Sequence, residues 1–114
     1  MYLPINEISV EELAIRLSNQ GSDLQLIDVR EHHEVEIASL EGFEVLPLSE
    51  HTHWSSHIMI RFRPEVETLV LCHHGMRSAQ MCQWLQSIGF SNVKNIVGGI
   101  DAYALLVDSR VPRY

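Results

Sequence analysis

The chain has 114 residues, 46% of them hydrophobic, and a formal net charge of −7. That length fits a single domain, residues 1–114, with a core that needs no metal or disulfide as a staple, and an acidic surface repels nucleic acid and anionic membranes, so neither is an expected partner. No apolar run approaches the ~20 residues that cross a bilayer, Met1 to Glu12 carries no basic or apolar leader, and two cysteines make no secreted disulfide framework, so the chain reads as a cytoplasmic protein with reduced thiols.

Taken in order, the predicted elements alternate between helix and strand. Ser9 and Glu12 form a capping box flanked by Ile8 and Leu13 at the staple positions. Val10, Leu13, Ala14 and Leu17 give the helix that follows an apolar face, and Gly21 ends it. Leu24 to Val29 is a short apolar run that suits a buried strand. Phe43 to Leu46 is a weaker strand stopped by Pro47, and Ser49 to Phe62 is predicted helical despite a poor pattern. Leu69-Val70-Leu71, inside Glu67 to Cys72, is a strong buried strand. A helix over Arg77 to Ile88 ends at Gly89, with Phe90 packing back on Leu85 as in a Schellman ending. Val93 to Val97 is a further strand, and Gly98-Gly99 turns into a last helix carrying Ile100, Tyr103, Ala104 and Val107. The alternation predicts an α/β fold, a mostly parallel central sheet of about five strands with helices on both faces. Ligands of such sheets bind at the carboxyl ends of the strands, and Cys72 stands at one.

The segment that carries chemistry is Cys72-His73-His74-Gly75-Met76-Arg77-Ser78. It joins a buried strand to a helix N-terminus, where backbone N–H groups lack intrahelical partners and the dipole favours negative charge. A cysteine at the mouth of such a loop has its thiolate stabilised. Gly75 permits a tight, left-handed turn that aims N–H groups inward, and Arg77 adds a permanent charge that can fork onto an oxyanion. Four residues separate Cys72 from Arg77. Tyrosine phosphatases use five, and a loop one residue shorter encloses less volume, suiting a single terminal sulfur better than a phosphoryl group.

In this loop the sequence resembles the rhodanese family, whose active loop is commonly Cys-x-x-Gly-x-Arg. The resemblance runs from about Ile8 to Tyr114 and includes Asp28-Val29-Arg30, the Gly89-Phe90 helix end and the Gly98-Gly99-Ile100 turn. It implies a rhodanese-like fold and a sulfurtransferase that moves a sulfane sulfur from thiosulfate or a persulfide donor to a thiol or a sulfur-carrier acceptor protein. By the same resemblance Cys72 is the nucleophile that becomes a persulfide. The backbone of His73, His74, Gly75, Met76 and Arg77 is the substrate cradle, and Arg77 also binds an anionic donor. Asp28, Arg30 and Ser78 support the loop, with Asp28 bracing it from the neighbouring strand and Arg30 paired to an acidic neighbour. No metal or organic cofactor is implied. The sequence departs from the family at Ala38-Ser39-Leu40-Glu41-Gly42-Phe43, where many members have Gly-His-Ile-Pro-Gly-Ala, and at Tyr103, where tryptophan is common. The His-His loop and the ending Val111-Pro112-Arg113-Tyr114 are most similar to the rhodanese domain of E1-like enzymes that activate sulfur carriers.

Other readings compete with this one. The same cradle could serve a phosphatase or an arsenate reductase, against which loop length argues, or a binding module without turnover. Cys82, inside a helix beside Met81 and one turn from Leu85, reads as core packing. His53 and His57 share helical spacing but have no supporting ligand, and Trp54 and Trp84 read as packing residues. His73 and His74 are expected to be largely neutral at pH ~7 and to gain charge below pH ~6.5.

Overall fold

Five parallel strands form the centre of the structure, a computed structural model that describes residues 4–19 and 23–114. They are β1 (Asn6–Ile8), β2 (Gln25–Asp28), β3 (Glu44–Val45), β4 (Thr68–Leu71) and β5 (Val93–Ile96), in the order β1-β5-β4-β2-β3. The helices are α1 (Val10–Ser18), α2 (His32–Ile37), α3 (His51–Trp54), α4 (Ile58–Arg61), α5 (Met76–Ser87) and α6 (Gly99–Leu106). The run predicted as a strong buried strand is the central one: β4 lies between β2 and β5, and all four of its residues are buried.

Side-chain alternation divides the core into two halves. Leu69 and Leu71 face one side with Ile8 and Ile96, against Val10 and Leu13 of α1 and Ile100 of α6. Val70 and Cys72 face the other with Ile27 and Val93, against Met81, Cys82 and Leu85 of α5 and the Trp54, Ile58, Phe62 set. Each fully buried Leu or Ile contributes roughly 1.5–3 kcal/mol of burial free energy, before the entropy cost of ordering it. The period of two therefore sets the site. It places Cys72 on the α5 face, and on β5 it places Asn95 on that same face, in register with Val70.

The helix ends follow the sequence. Ser9 Oγ accepts from Glu12 N–H at 3.1 Å, and Ile8 and Leu13 share one apolar cluster. At the end of α5, Phe90 N–H donates to the Leu85 carbonyl at 3.0 Å and Gly89 N–H to that of Gln86 at 3.1 Å, the two bonds of a Schellman motif. Gly21, predicted to end the first helix, lies outside the described residues.

Three features differ from the sequence reading. β1 was not predicted; it has three residues at the sheet edge, and only Ile8 is buried. Nor was α2, whose one buried residue is Glu34, so it shows no apolar period. The single helix expected over Ser49 to Phe62 is instead α3 and α4 with 3₁₀ turns at Leu48–Glu50 and Ser55–His57. Only Trp54, Ile58 and Phe62, each four residues apart, are buried along it, which is why the pattern was poor. Replacing the α1 cap, Ser9→Ala, is expected to cost about 1 kcal/mol. Urea unfolding should show a lower midpoint with an unchanged slope.

Candidate active site

The loop after β4 is shaped by two glycines that no other residue could replace without displacement. Gly75 has φ +103°, and a Cβ there would lie 3.2 Å from the Gly98 nitrogen. Gly99 has φ +64°, and its Cβ would lie 2.3 and 2.4 Å from the carbonyl oxygens of His73 and Cys72. This close approach lets α6 meet the loop with its N-terminus. Ile100 N–H donates to the Cys72 carbonyl at 2.9 Å and Asp101 N–H to that of His73 at 3.1 Å. Carbonyl and N–H point in opposite directions across a trans peptide, so the N–H groups of His73 and His74 are turned away from α6. An anion-binding loop needs this polarity, with carbonyls outward and amides free.

Cys72 is 1% exposed, and its sulfur receives a hydrogen bond from Gly75 N–H at 3.0 Å. Ser78 Oγ lies 3.2 Å from the same sulfur and 2.5 Å from Asn95 Oδ1. Asn95 in turn donates from Nδ2 to the Gly75 carbonyl at 3.0 Å. Cys82 is also fully buried; burial, together with the nearby Cys72, pushes its thiol up to about 12. A thiol held so firmly protonated is inert as a nucleophile.

Arg77 does not stand free. It forms a two-bond pair with Glu34 of α2, Nη1 to Oε1 at 2.6 Å and Nη2 to Oε2 at 2.9 Å. The Arg77 bond holds the Glu34 carboxyl down at about 2 against the opposing effect of burial, with help from the Glu31 N–H and the Tyr114 hydroxyl. Glu34 reciprocally raises the pKa of Arg77. Tyr114 donates to Glu34 Oε2 at 2.9 Å and accepts from Arg30 Nη1 at 3.0 Å. Arg30 is fully buried; its Nη2 reaches Asp28 Oδ2 at 2.7 Å and the Ala38 carbonyl at 2.8 Å.

The structure thus corrects one expectation. The Asp28 side chain does not brace the loop directly; it pairs with Arg30, and support passes on through Arg30 and Tyr114 to Glu34 and Arg77. Arg30 has its acidic partner, and Ser78 lies against the sulfur. His73 stacks on Tyr114 at a centroid distance of 3.9 Å and on His74 at 3.9 Å. Burial, and then the neighbouring His74, lower its pKa, so its protonation falls below the ordinary histidine range expected from the sequence. Its Nε2 is buried and has no hydrogen-bond partner among the described residues. His74 and Met76 are exposed at the rim. The sequence reading missed Glu34, Asn95 and Tyr114. Glu34 reaches Arg77 43 residues away, Asn95 reaches Gly75 20 residues away, and Tyr114 at the end of the chain stacks on His73, so none of these contacts is set by neighbouring residues.

A parallel sheet with a strand-loop-helix cysteine, its amides turned inward and an arginine at the loop's end, defines a class. The rhodanese-like domain profile matches residues 9–106, and the chain belongs to the rhodanese-like domain family. It is 49% identical over 113 residues to a rhodanese-like/PpiC domain-containing chloroplastic protein of Arabidopsis thaliana, a match covering 97% of this chain and 38% of that one. It is 34% identical over 102 residues to an adenylyltransferase and sulfurtransferase of Zea mays, covering 87% of this chain and 21% of that one. A sulfurtransferase of Allochromatium vinosum is 31% identical over 100 residues, with 88% of this chain and 89% of that one covered. Among solved structures, a rhodanese-like domain protein of Staphylococcus aureus has the same fold, with TM-score 0.76, 21% identity and coverage of 96% and 99%. The chain therefore spans little more than a third, or about a fifth, of its multidomain relatives, and the relatives named sulfurtransferases place it in that superfamily.

Glu34→Gln tests the charge pair. Because the folded carboxyl sits near 2, below its ordinary 4.5, its stabilisation is complete above pH ~4.5 and is lost as pH falls toward 2. The variant is expected to be less stable at neutral pH, since the partly buried Arg77 loses its counter-charge. It should also lack this share of the wild-type decline on acidification. Urea midpoints from neutral to acidic pH check both.

Proposed function

We propose that the chain is a sulfurtransferase in which Cys72 carries sulfane sulfur as a persulfide. The Cys72 thiolate attacks the outer sulfur of the donor; the donor's S–S bond breaks, and sulfite or a thiolate leaves with the electron pair. An acceptor thiolate then attacks the terminal sulfur, the Cys72 S–S bond breaks, and the Cys72 thiolate returns. No metal or organic cofactor enters either displacement. The observation that carries this reading is the Cys72 sulfur itself, which accepts from the Gly75 N–H and lies 3.2 Å from the Ser78 hydroxyl, inside a loop whose Cys72 and His73 carbonyls are tied to α6. A terminal sulfur anion on Cys72 would meet amides rather than carbonyls.

The donor class follows from charge. The Arg77 guanidinium is matched by Glu34, His73 resists protonation, and the chain is acidic. Free thiosulfate, a dianion, finds little uncompensated positive charge here, whereas a protein persulfide brings its own docking surface. Loading in the cell from a persulfide carrier of the cysteine-desulfurase kind fits this arrangement. The resemblance of the His-His loop and of the ending Val111-Pro112-Arg113-Tyr114 to E1-like enzymes that activate sulfur carriers favours a sulfur-carrier protein as acceptor.

Intact mass after incubation with a donor is expected to rise by one sulfur atom in wild type and in Cys82→Ser, and not at all in Cys72→Ser. Equal loss in the two variants would refute the assignment of Cys72 alone. Side by side at equal low concentration and neutral pH, a persulfidated carrier should load Cys72 faster than thiosulfate. Faster loading by thiosulfate would overturn the donor class and leave the chemistry standing.

A further inference from the structure

Four hydrogen-bonding groups close a ring around the sulfur: Cys72 Sγ, the Ser78 hydroxyl, the Asn95 amide and the Gly75 backbone. Ser78 and Asn95 are both buried, at 0% and 5% exposure, so water does not complete their bonding. The Gly75 carbonyl only accepts, so it takes the Asn95 Nδ2 group and fixes which way the amide faces. Asn95 therefore presents Oδ1, also only an acceptor, to Ser78. The serine has one proton and two acceptors within reach, Asn95 Oδ1 at 2.5 Å and Cys72 Sγ at 3.2 Å. It cannot serve both.

With Cys72 as a thiol every group is satisfied: S–H donates to Ser78 Oγ, and the Ser78 O–H donates to Asn95. With Cys72 as a thiolate the hydroxyl is needed by the sulfur, and turning it there leaves Asn95 Oδ1 facing a second oxygen at close range. We infer that Asn95 is a positioning residue that acts through Ser78, drawing the hydroxyl proton away from the sulfur and so restraining formation of the Cys72 thiolate. Breaking that hold costs one buried hydrogen bond each time the nucleophile is made. The other groups around the sulfur are Arg77 and Cys82 on α5, His73 in the loop, Glu34 of α2 behind Arg77, and Asp101 of α6 behind His73. All but Cys82, which is replaced so that a single thiol remains, are left intact in the test.

The inference rests on Cys72 being the nucleophile, and the experiment reads its ionisation without any sulfur donor, so its failure is separable from failure of the sulfurtransferase reading. The protein carries Cys82→Ala, leaving one thiol, and Cys72 alkylation by iodoacetamide is followed against pH. Asn95→Leu frees the hydroxyl for sulfur and is expected to move the midpoint down, with about tenfold faster alkylation below it. In a Ser78→Ala background that gain should disappear. Asn95→Asp, of the same size and a stronger acceptor, keeps the question open if the leucine variant does not fold. It should raise the midpoint, and by more with Ser78 present than absent. An unchanged or raised midpoint in Asn95→Leu, or an equal shift in either variant with and without Ser78, overturns the inference.

Discussion

The carbonyl oxygens of Cys72 and His73 point into the N-terminus of α6, where the amides of Ile100 and Asp101 take them at 2.9 and 3.1 Å. That contact needs a backbone approach that a Cβ on Gly99 would block at 2.3 to 2.4 Å. Most of the site depends on it. Two peptide planes are held with their oxygens outward, and the amides that follow are left for whatever sits on the sulfur. The last helix, distant in sequence, is thus part of the active loop's construction.

Around this polarity the charges are arranged to cancel. Asp28 neutralises Arg30, and Glu34 neutralises Arg77, with the Tyr114 hydroxyl bridging the two pairs. Burying a guanidinium as completely as Arg30 is tolerable only because its donors find a carboxylate, a hydroxyl and two carbonyls. The arrangement supports the loop, and it also leaves the cradle to rely on backbone dipoles rather than on a free side-chain cation. Chemistry at a single sulfur atom fits such a site better than capture of a multiply charged oxyanion.

The two cysteines show how position, not residue type, assigns chemistry. Both lie in the same apolar cluster. Cys82, on the inner face of α5, meets only packing and is held as a thiol at about 12. Cys72, one residue past the end of β4, has the same burial but receives a backbone amide and faces a serine. Two hydrogen-bonding partners separate the proposed nucleophile from a core residue.

Much of this was legible along the chain. The apolar run Leu69-Val70-Leu71 marked the central strand, the Gly89-Phe90 ending marked the end of α5, and Cys72, Gly75 and Arg77 marked the loop, because each is a local pattern set by neighbouring residues. Local chemistry could say that a cysteine stands at the mouth of an anion cradle. It could not say that Arg77 is spoken for, since Glu34 sits 43 residues away on a helix with no apolar period. Nor could it find Asn95, an ordinary polar residue within a strand until the β4–β5 register sets it beside Val70 and turns its amide toward Gly75 and Ser78. Tyr114 is likewise only a terminal aromatic until the chain folds back to stack it on His73. The sequence by itself determined which cysteine stands at the loop and where that loop turns into a helix, because spacing along the backbone specifies both. Tertiary structure alone decided the loop's net charge and the competition for the Ser78 proton, because both arise from groups brought together by parallel strand register and helix packing rather than by covalent neighbourhood.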